Sequence, residues 1–340
     1  MSDHTAIEWT GATWNPVTGC DRISPGCAHC YARTMAKRMK AMGQPRYQRD
    51  GDGPGFGVTL HPDLLDPAKV RKLRPLDKPI FVCSMADLFH DDVPETFIGR
   101  VFATMVLCPE RTFQVLTKRP ERARDLLTRM YAGDPGEHVP LTVLPNVWLG
   151  VSIENARYTW RADVLREIPA AVRFISAEPL LGSLFTVKPR DPKLNFVPLA
   201  LACGHLVQDV ALFEAGGGKP TTVECPEGCG MVAFVSEPNR FEGQKLYLPA
   251  PLDLTGIDWV IVGGESGPGA RPMHPDWARE LRDACLCVFC RGGHDEEGCT
   301  ICAEYPAFFL KQLGGIRDKR GGEAAVLDGR RWTEMPGGAT

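Results

Sequence analysis

The sequence predicts an α/β fold built on a parallel sheet, as a full or partial (β/α) barrel. Six short apolar runs each end in a polar or glycine-containing turn, and most are followed by a helix-like stretch. One further strand before Cys20 brings the expected count to about seven. A doubly wound open sheet is the alternative. Because both folds bind ligands at the carboxyl ends of their strands, the site is predicted there in either case.

The apolar runs are predicted strands, and the polar residues that follow them are candidate site residues. In chain order the runs are Pro79–Cys83, Thr112–Leu116, Asn146–Val151, Val172–Ser176, Trp259–Val262 and Ala307–Leu310. Apolar residues at three- and four-residue spacing predict the helices Pro94–Leu107, Arg119–Met130, Asn155–Ile168 and His274–Ala284. The polar strand-end residues are Ser84, Asp87, Lys118, Ser152, Glu154, Glu178, Glu265, Ser266, Lys311 and Gln312.

Two cysteine-rich segments interrupt this alternation and are predicted to be insertions. Residues 186–250 contain three early prolines and a triple glycine, where a barrel requires only a short connection. Residues 285–305 separate a helix from a strand that a loop of a few residues would otherwise join. The expected organisation is a barrel over 1–185, 251–284 and 306–340, with the cluster loop in its first part and zinc-binding insertions at 186–250 and 285–305.

The net charge and the first residues of the chain limit the kinds of function and location that we expect. The chain has 340 residues, with 39 Lys and Arg against 42 Asp and Glu, so the formal charge is −3. Without a global basic excess, any contact with nucleic acid phosphates must come from a local patch. No apolar run reaches the roughly 18 residues of a membrane span. The first nine residues have no basic, apolar leader, so we expect a cytoplasmic protein that does not contact membranes.

Cysteines are the most informative residues. In a cytosolic chain, clustered cysteines bind metal more often than they form disulfides, and eleven of the thirteen here fall into three groups. Cys83 and Cys108 stand alone in apolar runs, where packing is the ordinary role. Cys83 ends a strand just before Ser84, so it is also considered as a catalytic thiol.

The first cysteine group lies in one loop and comprises Cys20, Cys27 and Cys30. Three thiolates can hold a [4Fe–4S] cluster and leave one iron open to an external ligand, whereas a structural zinc site usually has four protein ligands. His29 is a candidate fourth zinc ligand, although with only Ala28 before it and Cys30 directly after it the loop would be strained. The alternatives from chemistry alone are an iron–sulfur cluster, zinc, and unliganded thiols.

The other two groups predict two zinc sites. One has three cysteines and an imidazole: Cys203, His205, Cys225 and Cys229. The other has two C-x-x-C pairs: Cys287, Cys290, Cys299 and Cys302. Both sets supply the four ligands of a tetrahedral zinc site, and a second iron–sulfur cluster is the alternative for the latter. Structural zinc would explain how small glycine-rich insertions fold without a core.

The first cysteine loop resembles that of radical S-adenosylmethionine (SAM) enzymes. Cys27-x-x-Cys30-Tyr31 keeps the family spacing, whereas six residues rather than three separate Cys20 from Cys27. The lead-in Asn15-Pro16-x-x-Gly19-Cys20 and the trailing Cys30-Tyr31-Ala32-Arg33 are similar to the spore photoproduct lyase branch, with His29 where that branch has an aromatic residue.

A second resemblance covers nearly the whole chain apart from the insertions. The motifs Ser84-Met85-Ala86-Asp87, Leu116-Thr117-Lys118-Arg119-Pro120, Ser176-Ala177-Glu178-Pro179 and Gly263-Gly264-Glu265-Ser266, among others, resemble the phage- and prophage-associated three-Cys-motif (Gp37/Gp68-like) family. It implies a radical-SAM-type protein without naming a substrate.

These resemblances imply a cofactor set and a type of reaction. The three loop cysteines would hold a [4Fe–4S] cluster reduced by a donor such as flavodoxin or ferredoxin, and the cluster would cleave SAM. SAM binding would involve Tyr31, Ser84, Asp87, Ser152, Glu154, Glu265 and Ser266, with Cys83, Lys118 and Glu178 as candidate catalytic residues. The paired glycines Gly263 and Gly264 would allow a ligand to approach the backbone.

Three functions follow as alternatives. The first is a radical SAM enzyme that modifies or repairs a nucleic-acid base or nucleotide, supported by the lyase-like motif and by the basic runs 33–40 and 71–74. The second is the same chemistry on a peptide or small metabolite. The third is a non-catalytic, zinc-stabilised protein that binds nucleic acid.

Overall fold

Seven parallel strands form a curled sheet that makes a half-barrel. The computed structural model describes residues 2, 5, 7–132, 143–185, 251–286, 305–316 and 320–336, together with the backbone of strands between 196 and 245. The strands of the main sheet are β1 (Ala12–Trp14), β4 (Ile80–Val82), β5 (Phe113–Thr117), β6 (Val147–Ser152), β7 (Val172–Ala177), β14 (Trp259–Gly263) and β15 (Ala307–Gln312). They lie side by side in chain order, without the reversal that a doubly wound sheet requires. The prediction of a partial barrel is therefore confirmed.

The remaining elements are shorter strands and the helices. The other strands are β2 (Val17–Thr18), β3 (Thr59–Leu60), β8 (Phe196–Ala200), β9 (Leu206–Ala211), β10 (Thr221–Glu224), β11 (Val232–Glu237), β12 (Arg240–Phe241), β13 (Gln244–Lys245), β16 (Val326–Leu327) and β17 (Arg330–Arg331). The helices are α1 (Tyr31–Ala41), α2 (Pro67–Arg71), α3 (Glu95–Val106), α4 (Pro120–Ala132), α5 (Trp160–Arg166) and α6 (Pro275–Cys285). Strands β8 to β13 belong to separate antiparallel sheets. No helix among the described residues has the length and apolarity to cross a bilayer.

The four predicted helices are present, with one difference. The stretch predicted as a single helix over Asn155–Ile168 is a 3-10 turn at Ala156–Tyr158 followed by α5. The Asn155 side chain accepts a hydrogen bond from the Arg157 backbone N–H, which starts the turn. Apolar periodicity located the segment, because it reports the buried face and not the hydrogen-bond pattern.

Both faces of the sheet are buried. One packs against the helices in a large aliphatic core, and β6 is buried along its whole length, as parallel strands covered on both sides are. The other face carries aromatic rings around Trp259, which contacts Trp9, Trp148, Phe174 and Phe309. This packing closes the interior of the half-barrel and leaves the carboxyl ends of the strands, its mouth, for function.

Candidate functional site

The chain enters the cysteine loop through a tight backbone contact beside the mouth. Gly19 has a φ of +90°, and a Cβ there would lie 2.3 Å from the Gly57 carbonyl oxygen, so only glycine fits. Its N–H donates to the Met85 carbonyl at 3.0 Å, just after β4. The next residue, Cys20, donates its backbone N–H to Phe56. Cys20 is thereby held at the end of the first two sheet strands.

The other two cysteines follow at the start of α1. Cys27 closes the 3-10 turn Pro25–Cys27, and Cys30 is the N-cap residue of α1. The Ser24 hydroxyl lies 3.6 Å from the Cys27 sulfur and donates a 2.5 Å hydrogen bond to Glu154, which follows β6. All three cysteines are half-buried free thiols. The loop is thus tied to the mouth at two places.

Cys20 also contacts the end of β5. The Arg119 guanidinium donates to the Cys20 sulfur at 3.5 Å and lies 3.6 Å from the Asp87 carboxylate. Asp87 in turn accepts hydrogen bonds from the Thr117 hydroxyl and the Lys118 backbone N–H. Burial, followed by the Asp87 charge, raises the pKa of the Cys20 thiol to about 12, against the opposing effect of Arg119. Asp87 therefore orders the end of β5 and fixes the guanidinium against the sulfur.

Glu154 is fully buried between two cations. Its oxygens lie 3.1 Å from Arg161 and 3.6 Å from the Lys118 ammonium. Burial alone would raise the pKa of Glu154, but Arg161, Lys118 and the Ser24 hydroxyl outweigh it and lower the pKa. The pKa of Lys118 is raised, because Glu154 and the nearby cysteines outweigh the effect of its own burial. At pH 7 this is an ionised pair beside the cysteine loop.

Glu178 lies at the end of β7 and has three partners. Lys311 pairs with it at 2.9 Å, and the Trp9 indole N–H and the Ser176 hydroxyl donate to its other oxygen. A Cβ on Gly263 would lie 2.4 Å from this carboxylate, and one on Gly264 would lie 2.3 Å from the Leu313 carbonyl. The paired glycines therefore make room for neighbouring strand ends, and the approach of a ligand to their backbone stays a prediction.

Glu265 is clamped by Arg271. The guanidinium binds both carboxylate oxygens, at 2.6 and 2.9 Å, and also donates to the Pro25 carbonyl in the cysteine loop. His29, the alternative zinc ligand, places its Nδ1 3.2 Å from Glu265. Burial would raise the pKa of Glu265, but the hydrogen bonds from Arg271 lower it. The carboxylate joins β14 to the far side of the loop.

Tyr31 and Ser84 meet beside the third cysteine. The Tyr31 hydroxyl donates to the Ser84 carbonyl, and the Ser84 hydroxyl donates to the Asn15 side chain at 3.2 Å. Burial of the phenol oxygen raises the pKa of Tyr31, as does the nearby Cys30. The Tyr31 residue nonetheless remains 55% exposed, so its ring is accessible at the mouth.

Three further predicted residues, Cys83, Ser152 and Ser266, also lie at the strand ends. Cys83 is 3% exposed, belongs to the aliphatic core and has a left-handed φ of 58°. Ser152 is 2% exposed, and its carbonyl accepts from Arg161. Ser266 is exposed and forms a backbone bridge with Gly315. Cys83 is therefore placed as a packing residue, the ordinary role considered for it.

The residue types at the mouth suit an iron–sulfur cluster, but the three thiols are not gathered around one point. Three thiols border one mouth, with Arg119 and Lys118 positioned to offset thiolate charge. Among the described residues, however, no three His, Cys, Asp or Glu side chains are gathered as a metal site. The loop would have to draw its sulfurs together around a cluster. The two predicted zinc sets, Cys203, His205, Cys225 and Cys229 and then Cys287, Cys290, Cys299 and Cys302, lie outside the described residues.

Sequence reasoning missed four polar side chains that order this site: Asn15, Arg119, Arg161 and Arg271. Each contacts a residue that the sequence did single out. Asn15 and Arg119 stand in the motifs that carry the resemblances, and Arg271 stands six residues after Glu265, but the sequence did not single out any of the four as a site residue. Their partners are distant in the chain.

Comparison with known proteins gives a family without a function. A family model described as "Protein of unknown function (DUF5131)" matches residues 4–336. No curated protein and no solved structure matches the chain.

Proposed function

The chain belongs to the DUF5131 family, and we propose that it is a radical SAM enzyme acting on a nucleic-acid base or nucleotide. One observation carries the proposal: three free thiols of one loop border a mouth at which the strand-end carboxylates Glu154, Glu178 and Glu265 also lie. A half-barrel with its polar groups at this edge is an arrangement in which ligands bind at the carboxyl ends of strands.

Cys20, Cys27 and Cys30 would hold a [4Fe–4S] cluster. A cluster held there and reduced by an external donor such as flavodoxin or ferredoxin would supply one-electron chemistry, the reductive cleavage of SAM that leads to abstraction of a substrate hydrogen atom. The protein's tasks are binding, orientation and exclusion of water. The aromatic packing below the mouth, around Trp259, keeps water from the site on that side.

The strand-end residues divide into two roles. Glu154 has both oxygens engaged by Ser24, Lys118 and Arg161, so we assign it to holding the cysteine loop in place. Glu178 pairs with Lys311 through one oxygen and accepts from neutral donors through the other, so we assign it to accepting from the amine or ribose hydroxyls of SAM. Lys118, whose ammonium pairs with Glu154, would donate to the SAM carboxylate.

Other residues would complete the SAM site. Ser84, which lies beside Tyr31, would contact SAM at the mouth. Glu265 and Arg271 tie the loop to β14 on the opposite side. Structural zinc in the two insertions stays a prediction, with two zinc ions expected per chain.

Anaerobic purification tests the proposal. Iron, sulfide and zinc are quantified per chain, and reduced protein is incubated with SAM to detect 5′-deoxyadenosine. We expect about four irons per chain in the wild type, their loss in Cys27→Ala, and SAM-dependent 5′-deoxyadenosine in the wild type alone.

The matched control is Cys108→Ala, since Cys108 is a buried thiol between α3 and β5, away from the mouth. It should retain the iron and the activity. Zinc without iron, and no 5′-deoxyadenosine, would contradict the proposal and favour a zinc-stabilised binding protein.

A further inference from the structure

A solvent-open cleft of about 480 Å³ lies beside the cysteine loop. Its walls are the cations Arg22, Arg33 and Lys37, the Thr34 hydroxyl, Asp52 and the glycine-rich turn 51–54. Arg22 comes from the cysteine loop itself, and the other two cations come from α1, which begins directly after Cys30. The cleft is therefore built from the same segment as the proposed cluster loop.

The glycine-rich turn packs tightly on α1 and shapes the cleft. Gly53 has a φ of +138°, and a Cβ there would lie 3.2 Å from the side chain of Arg33. Gly55 approaches the helix even more closely, with 2.8 Å between its hypothetical Cβ and the Ala36 carbonyl. Arg33 also donates to the Ala28 carbonyl at 2.9 Å. The guanidinium is thus fixed between the turn and the cysteine loop.

The charges lining the cleft are unbalanced. Asp52 is the one carboxylate in the wall, and both Arg22 and Arg33 pair with the same oxygen, at 2.9 and 3.5 Å. Lys37 is exposed and forms no ion pair with any described residue. Three cations against one anion leave an excess of two positive charges, in a chain whose formal charge is −3. This is the local basic patch that phosphate binding requires.

An accessible aromatic ring lies on the same helix. Tyr31 is 55% exposed, and its hydroxyl donates a hydrogen bond to the Ser84 carbonyl at the mouth. Lys37 stands six positions after Tyr31, which is about 9 Å along a helix and about 120° around its axis. Proteins that hold single-stranded nucleic acid combine cations along the backbone with aromatic side chains on which bases stack. A base must also leave a duplex stack before an enzyme can act on it.

We propose that this cleft binds the phosphodiester backbone of a single-stranded nucleic acid and places a base on Tyr31 at the mouth. The reaction that would follow rests on the proposed function, whereas the binding does not. Arg22, Arg33 and Lys37 contact phosphates, and Thr34 adds a neutral hydroxyl. The glycine-rich turn leaves the cleft open to solvent, so a strand can pass through it.

Fluorescence anisotropy on the full chain, purified anaerobically and without SAM, tests the binding. The probes are labelled 12-nucleotide DNA and RNA strands of one sequence, with an unlabelled mononucleotide as competitor. We expect Lys37→Glu and Arg22→Glu to weaken binding at least about ten-fold. The slope of the logarithm of the binding constant against the logarithm of the salt concentration should become shallower by about 0.7 per lost phosphate contact. Tyr31→Ala should weaken it about ten-fold through lost stacking.

The matched control is Lys78→Glu, the same charge reversal at an exposed lysine just before β4, at the amino end of the sheet. It should change affinity less than about two-fold, and melting curves should show all four variants folded. The DNA and RNA arms identify the strand that is preferred.

Several outcomes would overturn the proposal: no binding of either strand at low salt, equal weakening by Lys78→Glu, unchanged binding in both cleft variants, or a mononucleotide that competes as well as a strand. SAM cleavage is measured separately. If the protein binds the strand but does not cleave SAM, the proposed function alone is refuted. If it cleaves SAM but does not bind the strand, the proposed role of the cleft alone is refuted.

Discussion

The Cys20 sulfur accepts a hydrogen bond from the Arg119 guanidinium, with 3.5 Å between Sγ and Nη1. Ninety-nine residues separate the two in the chain. The contact joins the loop that carries the three thiols to the carboxyl end of β5, and Asp87 holds the guanidinium from the other side. Any group bound by Cys20 would therefore be influenced by a fixed positive charge.

Arg119→Gln should lower the reduction potential of a bound cluster. Hydrogen bonds to cluster sulfurs and nearby positive charge favour the reduced state, so removing both shifts the midpoint to more negative values. The measurement is a redox titration followed by electron paramagnetic resonance. Arg124→Gln, which removes a half-buried arginine on α4 paired with Glu167, is the control and should leave the potential unchanged. An unchanged or higher potential in Arg119→Gln would contradict the role assigned to this contact.

Glu154→Gln should lower the free energy of unfolding by about 3 kcal/mol, because it leaves the charges of Lys118 and Arg161 without their buried counterion. Urea denaturation measures this. Glu167→Gln removes one carboxylate from an exposed pair with Arg124 and should cost less than about 1 kcal/mol. Equal effects of the two changes would show that Glu154 is not an essential counterion.

Gly26→Ala should destabilise the protein by about 1–3 kcal/mol and reduce the iron retained on purification. The added Cβ would lie 2.5 Å from an oxygen of the Glu154 carboxylate, which three partners hold in place. Gly99→Ala is the matched control, since Gly99 lies in α3 with open space around it. There alanine should stabilise the helix by up to about 1 kcal/mol. Thermal melting and iron analysis measure the two effects. A Gly26→Ala protein with the melting temperature and iron content of the wild type would contradict the prediction.

His61 should make the fold sensitive to mild acid. Burial and the charge of Arg46 lower the pKa of His61 to about 4, and its Nε2 lies 2.9 Å from the Thr18 hydroxyl, just before the cysteine loop. Between pH 6.5 and 4 the unfolded chain binds the proton that the folded chain excludes. The contribution of neutral His61 to the free energy of unfolding is therefore fully present above pH 6.5. It falls by roughly 1 kcal/mol per pH unit as the pH decreases through that window.

The check for His61 is urea denaturation from pH 7.5 to 4.5 on the wild type and on His61→Gln, which can still hydrogen-bond to Thr18 but does not titrate in this range. The variant should show a shallower decrease in stability than the wild type. Parallel curves would assign the acid sensitivity to other groups. His274, an exposed histidine at the start of α6, serves as the control through His274→Gln, which should follow the wild type.

Much of the fold was readable from local pattern. Six apolar runs predicted six strands of the main sheet, because buried parallel strands consist of short apolar stretches. Their order in the sheet follows the chain, so the polar residues after each run meet at one edge. Helix positions were also right, apart from the 3-10 turn before α5, whose hydrogen bonds depend on Asn155.

The sequence by itself determined the parallel sheet, the edge at which polar groups gather, and the loop with three cysteines, since periodicity, turn chemistry and residue spacing are local properties of the chain. Only the tertiary structure decided which of those groups are engaged. Cys20 with Arg119, Pro25 with Arg271, and Gly263 with Glu178 are pairs brought together by strand pairing and by packing of the cysteine loop at the mouth. Such contacts depend on packing between distant elements, for which single residues carry no local signal.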